Sequence, residues 1–267
     1  MICFQFSQLA PKPNNLQTPF PNSFKNLSKV LSLLPLKFGT QFNLYLWTIV
    51  TFLISYSRNS EKQTPLHTSA LNGHLEVYNL LSENIENKNP KDKHGQTPLH
   101  LAALHGHLEF CRCIITNLVD KNPVDYDFNS PFSCAASNGH LEICKLLIGY
   151  LVNKNPVSTS RGCTALHLAA ERGHLEVCKL IISNSNDKNP ANSKGFTPLH
   201  FAARKGHLDI CKLIMKHSGH KNPSAKNGIT PLSLASTGNH LEVCMLIQKE
   251  LKESRVVKPL QRFTPWM

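Results

Sequence analysis

The sequence has 267 residues, and 41% of them are hydrophobic, which is enough apolar material for a sizeable core in one large domain or two modest ones. Its formal net charge of +12, from 29 Lys and Arg against 17 Asp and Glu, favours an acidic partner. Charge alone does not choose between nucleic acid, an anionic membrane and an acidic protein surface. Nine cysteines in a chain of this length are too few for a small secreted domain held together by disulfides.

Residues 1–59 are predicted to be a separate N-terminal segment, because they share nothing with the sequence that follows. The stretch 38–57, between Lys37 and Arg58, has no charged residue and is near the lower limit of length for a membrane span. It lies too far from the start of the chain to be an ordinary secretory signal peptide. Three interpretations stay open: a membrane anchor, a helix that covers the exposed end of the next unit, or a poorly ordered or misannotated start.

A short motif recurs at steps of 33 or 34 residues from residue 60 to residue 252. A second marker, Gly-His-Leu, follows nine residues after each start, with Asn in place of Gly in the last copy, and Lys-Asn-Pro recurs between copies. Three markers in register predict six structural repeats and leave residues 253–267 as a C-terminal tail. The motif Thr-Pro-Leu-His, or a variant of it, starts at Thr64, Thr97, Ser130, Thr164, Thr197 and Thr230.

Each marker predicts a piece of a helix pair. Thr before Pro is typical of a helix start, because the hydroxyl caps free backbone N–H groups and Pro suits the first helical position. Gly permits the left-handed backbone that ends a helix, and the apolar pattern after it has the period of a second amphipathic helix. Asn-Pro then forbids further helix and begins an extended connection. Every unit is therefore predicted to be two antiparallel helices and a protruding turn.

Thr-Pro-Leu-His-x-Ala at this spacing resembles the motif of the ankyrin-repeat family, over about 190 of the 267 residues. The resemblance implies an all-α solenoid of stacked helix-turn-helix units, with the first helix of each unit on the concave face and the second on the convex face. It also implies a protein partner and no cofactor. Lys-Asn-Pro replaces the Gly-Ala pair that is common after the second helix in that family.

The middle of the stack is predicted to be its least regular part. Unit three has Ser133 in place of His and Phe128 where a turn glycine is expected, and unit four has one extra residue between Pro156 and Thr164. We expect a protruding turn to absorb the extra residue easily, because loop growth costs little.

The histidines and cysteines are predicted to be structural. Ten of the fourteen histidines belong to the repeat markers, and no Cys or carboxylate recurs beside them at a zinc-like spacing, so no metal site is predicted. We expect Cys163 to be exposed and reactive at a turn tip, and Cys111 with Cys113 is kept as a weaker metal or redox alternative. Cysteines fourteen residues after a unit start are predicted to be buried free thiols in a reducing, cytoplasmic compartment: Cys111, Cys144, Cys178, Cys211 and Cys244.

No catalytic residues are predicted. The sequence has no glycine-rich dinucleotide motif, phosphate-binding loop or nucleophile elbow, so it predicts neither an enzyme nor a small-molecule substrate. In three units the acidic residue after Gly-His-Leu lies three residues before a lysine, which predicts surface ion pairs between Glu142 and Lys145, Glu176 and Lys179, and Asp209 and Lys212.

Positions that differ between units are the candidates for partner contact, because positions fixed by packing must repeat. In ankyrin proteins these are the turn tips and the solvent side of the first helix. They predict a basic concave groove for an acidic protein segment, whereas the plain alternative is a set of solvated charges. Nucleic acid is not favoured, because no long Lys/Arg block is present. The predicted contacts are Arg161, Arg172, Lys194, Phe196, Arg204, Lys205, Lys226 and Ile229.

The function predicted first is therefore a protein-interaction module or adaptor. A second interpretation is the cytoplasmic domain of a membrane-anchored protein tethered by residues 38–57. A third is the regulatory subunit of an enzyme, which differs only in the identity of the partner.

Overall fold

The computed structural model describes residues 57–83 and 85–256, so residues 1–56, within which most of the predicted membrane stretch falls, lie outside the described residues. The described ranges contain twelve α-helices in six pairs, and their only β-type pairing is an isolated bridge between Val157 and Thr164. None of these helices is both long enough and apolar enough to cross a membrane. The helices are α1 (Pro65–Asn72), α2 (Leu75–Ser82), α3 (Pro98–His105), α4 (Leu108–Thr116), α5 (Pro131–Ser137), α6 (Leu141–Ile148), α7 (Ala165–Arg172), α8 (Leu175–Asn184), α9 (Pro198–Lys205), α10 (Leu208–His217), α11 (Pro231–Thr237) and α12 (Leu241–Val256).

The architecture confirms the predicted all-α solenoid. Each first helix packs on the first helix of the next unit and on the second helix of its own unit. Second helices contact each other less extensively than first helices do. The last helix, α12, continues to Val256 and therefore includes the first residues of the predicted tail.

The unit starts form helix caps as predicted, and the motif histidines take part in them. The backbone N–H of Thr97 donates to Nδ1 of His100 over 3.1 Å, so Nδ1 is the unprotonated nitrogen of the imidazole. The proton is then on Nε2, which donates to the carbonyl of Asn129 in the next unit over 3.1 Å. We call the four histidines with this double role the cap histidines: His67, His100, His167 and His200.

The histidines of the Gly-His marker join neighbouring units at the C-terminal end of the first helix, opposite to the end that the cap histidines bond. Nε2 of His140 donates to the carbonyl of Leu104 over 3.0 Å, and the imidazole covers Gly106 of the preceding unit. Gly106 has φ +83°, and a Cβ there would lie 2.7 Å from the ring. The same bond is made by His107, His174, His207 and His240.

The Lys-Asn-Pro marker satisfies backbone groups on both sides of the linker. Oδ1 of Asn155 accepts the N–H of Leu166 in the first turn of α7, over 3.1 Å. Lys154 donates from Nζ to the carbonyl of Ile148 at the end of α6, over 2.8 Å. Because the ends of a helix leave such groups without intrahelical partners, the marker caps one helix end and one helix start at the same time.

The predicted cysteine stripe lies in the core. Cys111, Cys144, Cys178 and Cys211 are 0% exposed, Cys244 is half-buried, and all the cysteines of the described ranges are free thiols. Burial in apolar surroundings raises the pKa of the four buried thiols to about 12, so they are inert at neutral pH.

The prediction for Cys163 is wrong, because it is only 8% exposed. Cys163 is the last residue of its turn and directly precedes the helix cap Thr164, so it does not lie at the tip of the turn. Its sulfur accepts a hydrogen bond from Nδ2 of Asn192 over 3.3 Å. The pair Cys111 and Cys113 does not converge either, because Cys111 lies in the core whereas Cys113 is half-exposed and donates to Oδ1 of Asn79.

Candidate partner-binding groove

A protruding turn precedes the first helix of every unit, and we number the turns by unit. Most of them are held by the side chain of their first residue: Oδ1 of Asn192, for example, accepts the backbone N–H of both Lys194 and Phe196 over 3.0 Å. Such turns present their tips in a fixed conformation. The six are turn one (59–63), turn two (92–96), turn three (125–129), turn four (158–163), turn five (192–196) and turn six (225–229).

Backbone hydrogen bonds link successive turns into a row that we call the turn ladder. The N–H of Tyr126 donates to the carbonyl of His94 over 3.0 Å, and the N–H of Ser193 donates to the carbonyl of Arg161 over 3.0 Å. The corresponding bonds between turns one and two and between turns five and six measure 2.9 and 3.1 Å. Most of the turns are thereby fixed to their neighbours as well as to their own helices.

The ladder is interrupted between turns three and four, where the extra residue of unit four lies. The N–H of Ser158 donates to the carbonyl of Cys163, one residue further along than in the other turns. In the other turns the ladder donor lies two residues before the residue with positive φ, as Ser193 does before Gly195, so the equivalent donor in turn four is Ser160, two residues before Gly162. Its N–H should donate to the carbonyl of Asp127, but neither group has a hydrogen-bond partner within residues 57–83 and 85–256. The turn therefore accommodates its extra residue only by giving up the ladder bond.

A groove of about 590 Å³ opens beside this interruption and runs along turns three to five and helices α7 and α9. Its floor is aromatic: the rings of Phe196 and Phe201 meet edge to face with centroids 6.4 Å apart. Phe201 also packs on His167 at 5.5 Å, and Phe196 on His200 at 5.3 Å. Each of the two aromatic side chains is therefore held in place by contact with a cap histidine.

The three cations on the groove differ in how far they are neutralised. Arg204 donates to the carboxylate of Glu171 over 2.5 Å and lies over the ring of Phe201, with its guanidinium 5.0 Å from the centroid. Arg161 and Lys194 are exposed, and in the described part of the chain neither forms an ion pair. The groove also carries two carboxylates, those of Glu171 and the exposed Asp127, so its three cations give it a small net positive charge. The two cations without an ion pair in the described residues are Arg161 and Lys194.

Models of a known repeat family, described as "Ankyrin repeats (3 copies)", match residues 40–125, 114–192, 132–224 and 180–256. The chain belongs to the ankyrin-repeat family. No curated protein matches its sequence. Ankyrin repeats are generally protein–protein interaction modules and are typically not enzymes.

The predicted contact residues fall into two groups on this ankyrin stack. Arg161, Lys194, Phe196 and Arg204 line the same groove. The remaining four do not line it: Arg172 and Lys205 end α7 and α9 in exposed positions, Lys226 is exposed in turn six, and Ile229 is half-buried there. The carbonyl of Ile229 accepts the bond from the cap histidine His200 over 3.2 Å.

Of the two aromatic residues that form the groove floor, the sequence prediction included Phe196 and missed Phe201. It lies four residues after Thr197, at a position that is Leu101 in unit two and Cys134 in unit three. The available signal was its size, because it is the one aromatic residue at this position in the six ankyrin units.

The histidines under the groove are neutral at physiological pH. Burial lowers the pKa of His167 to about 4, and burial also lowers the pKa of His200. They support the aromatic floor without adding charge, so the groove's positive charge comes from its arginine and lysine side chains. Within the described ankyrin units, no three His, Cys, Asp or Glu side chains are arranged to hold a metal ion.

Proposed function

We propose that the groove binds an acidic segment of a partner protein, and that the chain acts as an adaptor through this contact. The observation that carries the proposal is the pair Arg161 and Lys194, two exposed cations without an ion-pair partner in the described ranges, next to the aromatic floor formed by Phe196 and Phe201. Complementary charge steers association and discriminates against basic partners. An apolar residue beside the acidic ones would pack on the floor, where burial of aromatic surface stabilises a complex.

Arg204 plays a different part from Arg161 and Lys194. Its guanidinium already has a carboxylate partner in Glu171 and an aromatic partner in Phe201. A ligand carboxylate would gain less from Arg204 than from Arg161, because it must compete with Glu171. Arg204 therefore shapes the groove, and we assign most of the charge recognition to Arg161 and Lys194.

Selection of random linear peptides displayed on phage tests the proposal without a known partner. We expect the chain to enrich acidic peptides that also carry an apolar residue. The double variant Arg161→Glu/Lys194→Glu should bind a synthetic copy of the enriched peptide at least about tenfold more weakly.

The matched control makes the same charge change on the outer face. Lys145→Glu/Lys179→Glu replaces two exposed lysines whose partners are Glu142 and Glu176, at 2.7 and 2.6 Å. This control should bind the peptide within about twofold of the unmodified chain, with the remaining difference due to long-range charge. Enrichment of neutral or basic peptides, or an equal loss of affinity in both double variants, would contradict the proposal.

A further inference from the structure

We propose that the interruption between turns three and four binds the main chain of the partner, so that an extended acidic segment completes the turn ladder there. This inference rests on the proposed function and adds the conformation of the ligand and its point of attachment. It assigns recognition to two backbone groups, the carbonyl of Asp127 and the N–H of Ser160.

The first argument is that both groups have the right polarity and no hydrogen-bond partner among the described residues. A backbone carbonyl and a backbone N–H are strong hydrogen-bonding groups, and a strand edge with such groups recruits extended peptides. At the other turn junctions the equivalent groups bond to each other, at 2.9 to 3.1 Å. In the described chain this junction alone leaves the pair open, and it lies at the groove.

The second argument is that the same junction lacks its cap histidine. In units one, two, four and five, a cap histidine donates to the last carbonyl of the following turn, as His167 does to Phe196 over 3.1 Å. Unit three has Ser133 at this position, and its hydroxyl bonds within its own cap, to the N–H of Ser130 over 2.8 Å. The junction between units three and four therefore lacks both the ladder bond between turns and the bond from a cap histidine to the next turn.

The third argument is that the side chains around the open pair give the ligand its chemistry. Arg161 follows Ser160 in turn four, and Lys194 lies in the neighbouring turn five. A peptide bonded to Ser160 and Asp127 would place acidic side chains beside these cations. Such a segment would be extended, since a helix uses its own backbone groups internally.

The variant Ser160→Pro tests the role of the N–H. The N–H of Gly162 donates to the carbonyl of Thr159 over 2.9 Å, so Ser160 is the second residue of a hydrogen-bonded turn, a position that favours proline. Ser160→Pro should keep the turn and bind the enriched acidic peptide about fivefold more weakly or worse, which corresponds to one lost hydrogen bond. The control Ser60→Pro makes the same change at the equivalent position of turn one, where the N–H of Lys62 donates to the carbonyl of Asn59 over 2.9 Å, and should bind the peptide like the unmodified chain because Ser60 does not line the groove.

A second measurement leaves the protein unchanged. Synthetic copies of the peptide, each N-methylated at one backbone nitrogen, should include one position at which methylation weakens binding about fivefold or more, because that N–H donates to Asp127. The amide of Ser160 should also exchange its hydrogen more slowly when the peptide is bound. This scan decides the matter if Ser160→Pro proves unstable.

The outcomes separate the two proposals. If the acidic peptide binds Ser160→Pro as well as the unmodified chain, or no position in the methylation scan matters, the main-chain inference is wrong while the acidic-groove proposal stands. If no acidic peptide is enriched, the proposed function fails and the inference fails with it. A loss in Ser160→Pro together with one sensitive peptide nitrogen supports both.

Discussion

Phe128 carries a conformation that suits glycine. Its φ of +67° is in the left-handed region, where the equivalent residues of turns two, four, five and six are Gly95, Gly162, Gly195 and Gly228. A side chain with a Cβ costs about 1 kcal/mol there. Phe128 is 52% exposed, so the packing of its side chain offsets little of that cost.

The variant Phe128→Gly is therefore expected to raise the free energy of unfolding by about 1 kcal/mol, measured by urea denaturation. Phe128→Ala is the control, because it removes the ring but keeps the Cβ in the left-handed conformation. Equal stabilisation by glycine and alanine would show that the ring, and not the backbone, is the source of the effect.

Single residues also show where sequence reasoning reached its limit. The structural role of the histidines could be predicted, because they recur at two fixed positions of the repeat in most or all units, and residues that recur in this way serve the packing of the repeat. The pairing of Arg204 with Glu171 could not, since the two are 33 residues apart and meet only when neighbouring units stack. The burial of Cys163 was missed because the extra residue of unit four obscured which position of the turn it occupies.

At the scale of the helix, the cap histidines make stability depend on pH. The pKa of His167 is lowered from 6.5 to about 4, mainly by burial. The unfolded chain therefore takes up a proton as pH falls below 6.5, whereas the folded chain stays neutral until pH approaches 4. The stabilisation is fully present above pH 6.5 and decreases as pH falls toward 4.

The variant His167→Ser should flatten this pH dependence. Ser133 shows that serine can cap the same position in unit three, so the helix start is kept. The variant loses the bond to the carbonyl of Phe196 and should be less stable by about 1 kcal/mol at pH 7. Between pH 6.5 and 4.5 it should lose less stability than the unmodified chain, by about 1 kcal/mol or more, in urea titrations at each pH. Parallel pH curves would contradict the assigned neutral state of His167.

The helix elements themselves followed from the sequence with good accuracy. Every predicted start, from Thr64 to Thr230, precedes a helix, because each combines a capping residue with a compatible first turn. The double role of the Lys-Asn-Pro marker was not predicted: it was interpreted only as a helix stop, whereas Asn155 also caps the next helix. That contact joins two units, and no pattern within a single unit reports it.

At the scale of the whole molecule, one of the junctions between described units differs from the others. The turn ladder and the cap histidines are both interrupted between units three and four, while the bond from Nε2 of His174 to the carbonyl of Ser137 is kept at 3.0 Å. Helices α5 and α7 also remain packed on each other. Units three and four are thus bonded on their helical side, whereas the hydrogen bonds that join turns elsewhere are missing on their turn side.

Amide hydrogen exchange measures this difference directly in the unliganded chain. The ladder amides of Lys93, Tyr126, Ser193 and Lys226 should exchange slowly, because each donates to a neighbouring turn. The amide of Ser160 should exchange at least about tenfold faster than these four. Equal protection of all five amides would show that turns three and four are bonded in solution.

The bond between His174 and Ser137 determines how units three and four can bend relative to each other. Two units that are bonded on one side only resist bending less than units bonded on both sides, and they bend about the bonded side. Bending there would widen or narrow the gap between Asp127 and Ser160 without unfolding a helix. The described units would then move as two groups of three, with most of the flexibility of this part of the chain at the junction between them.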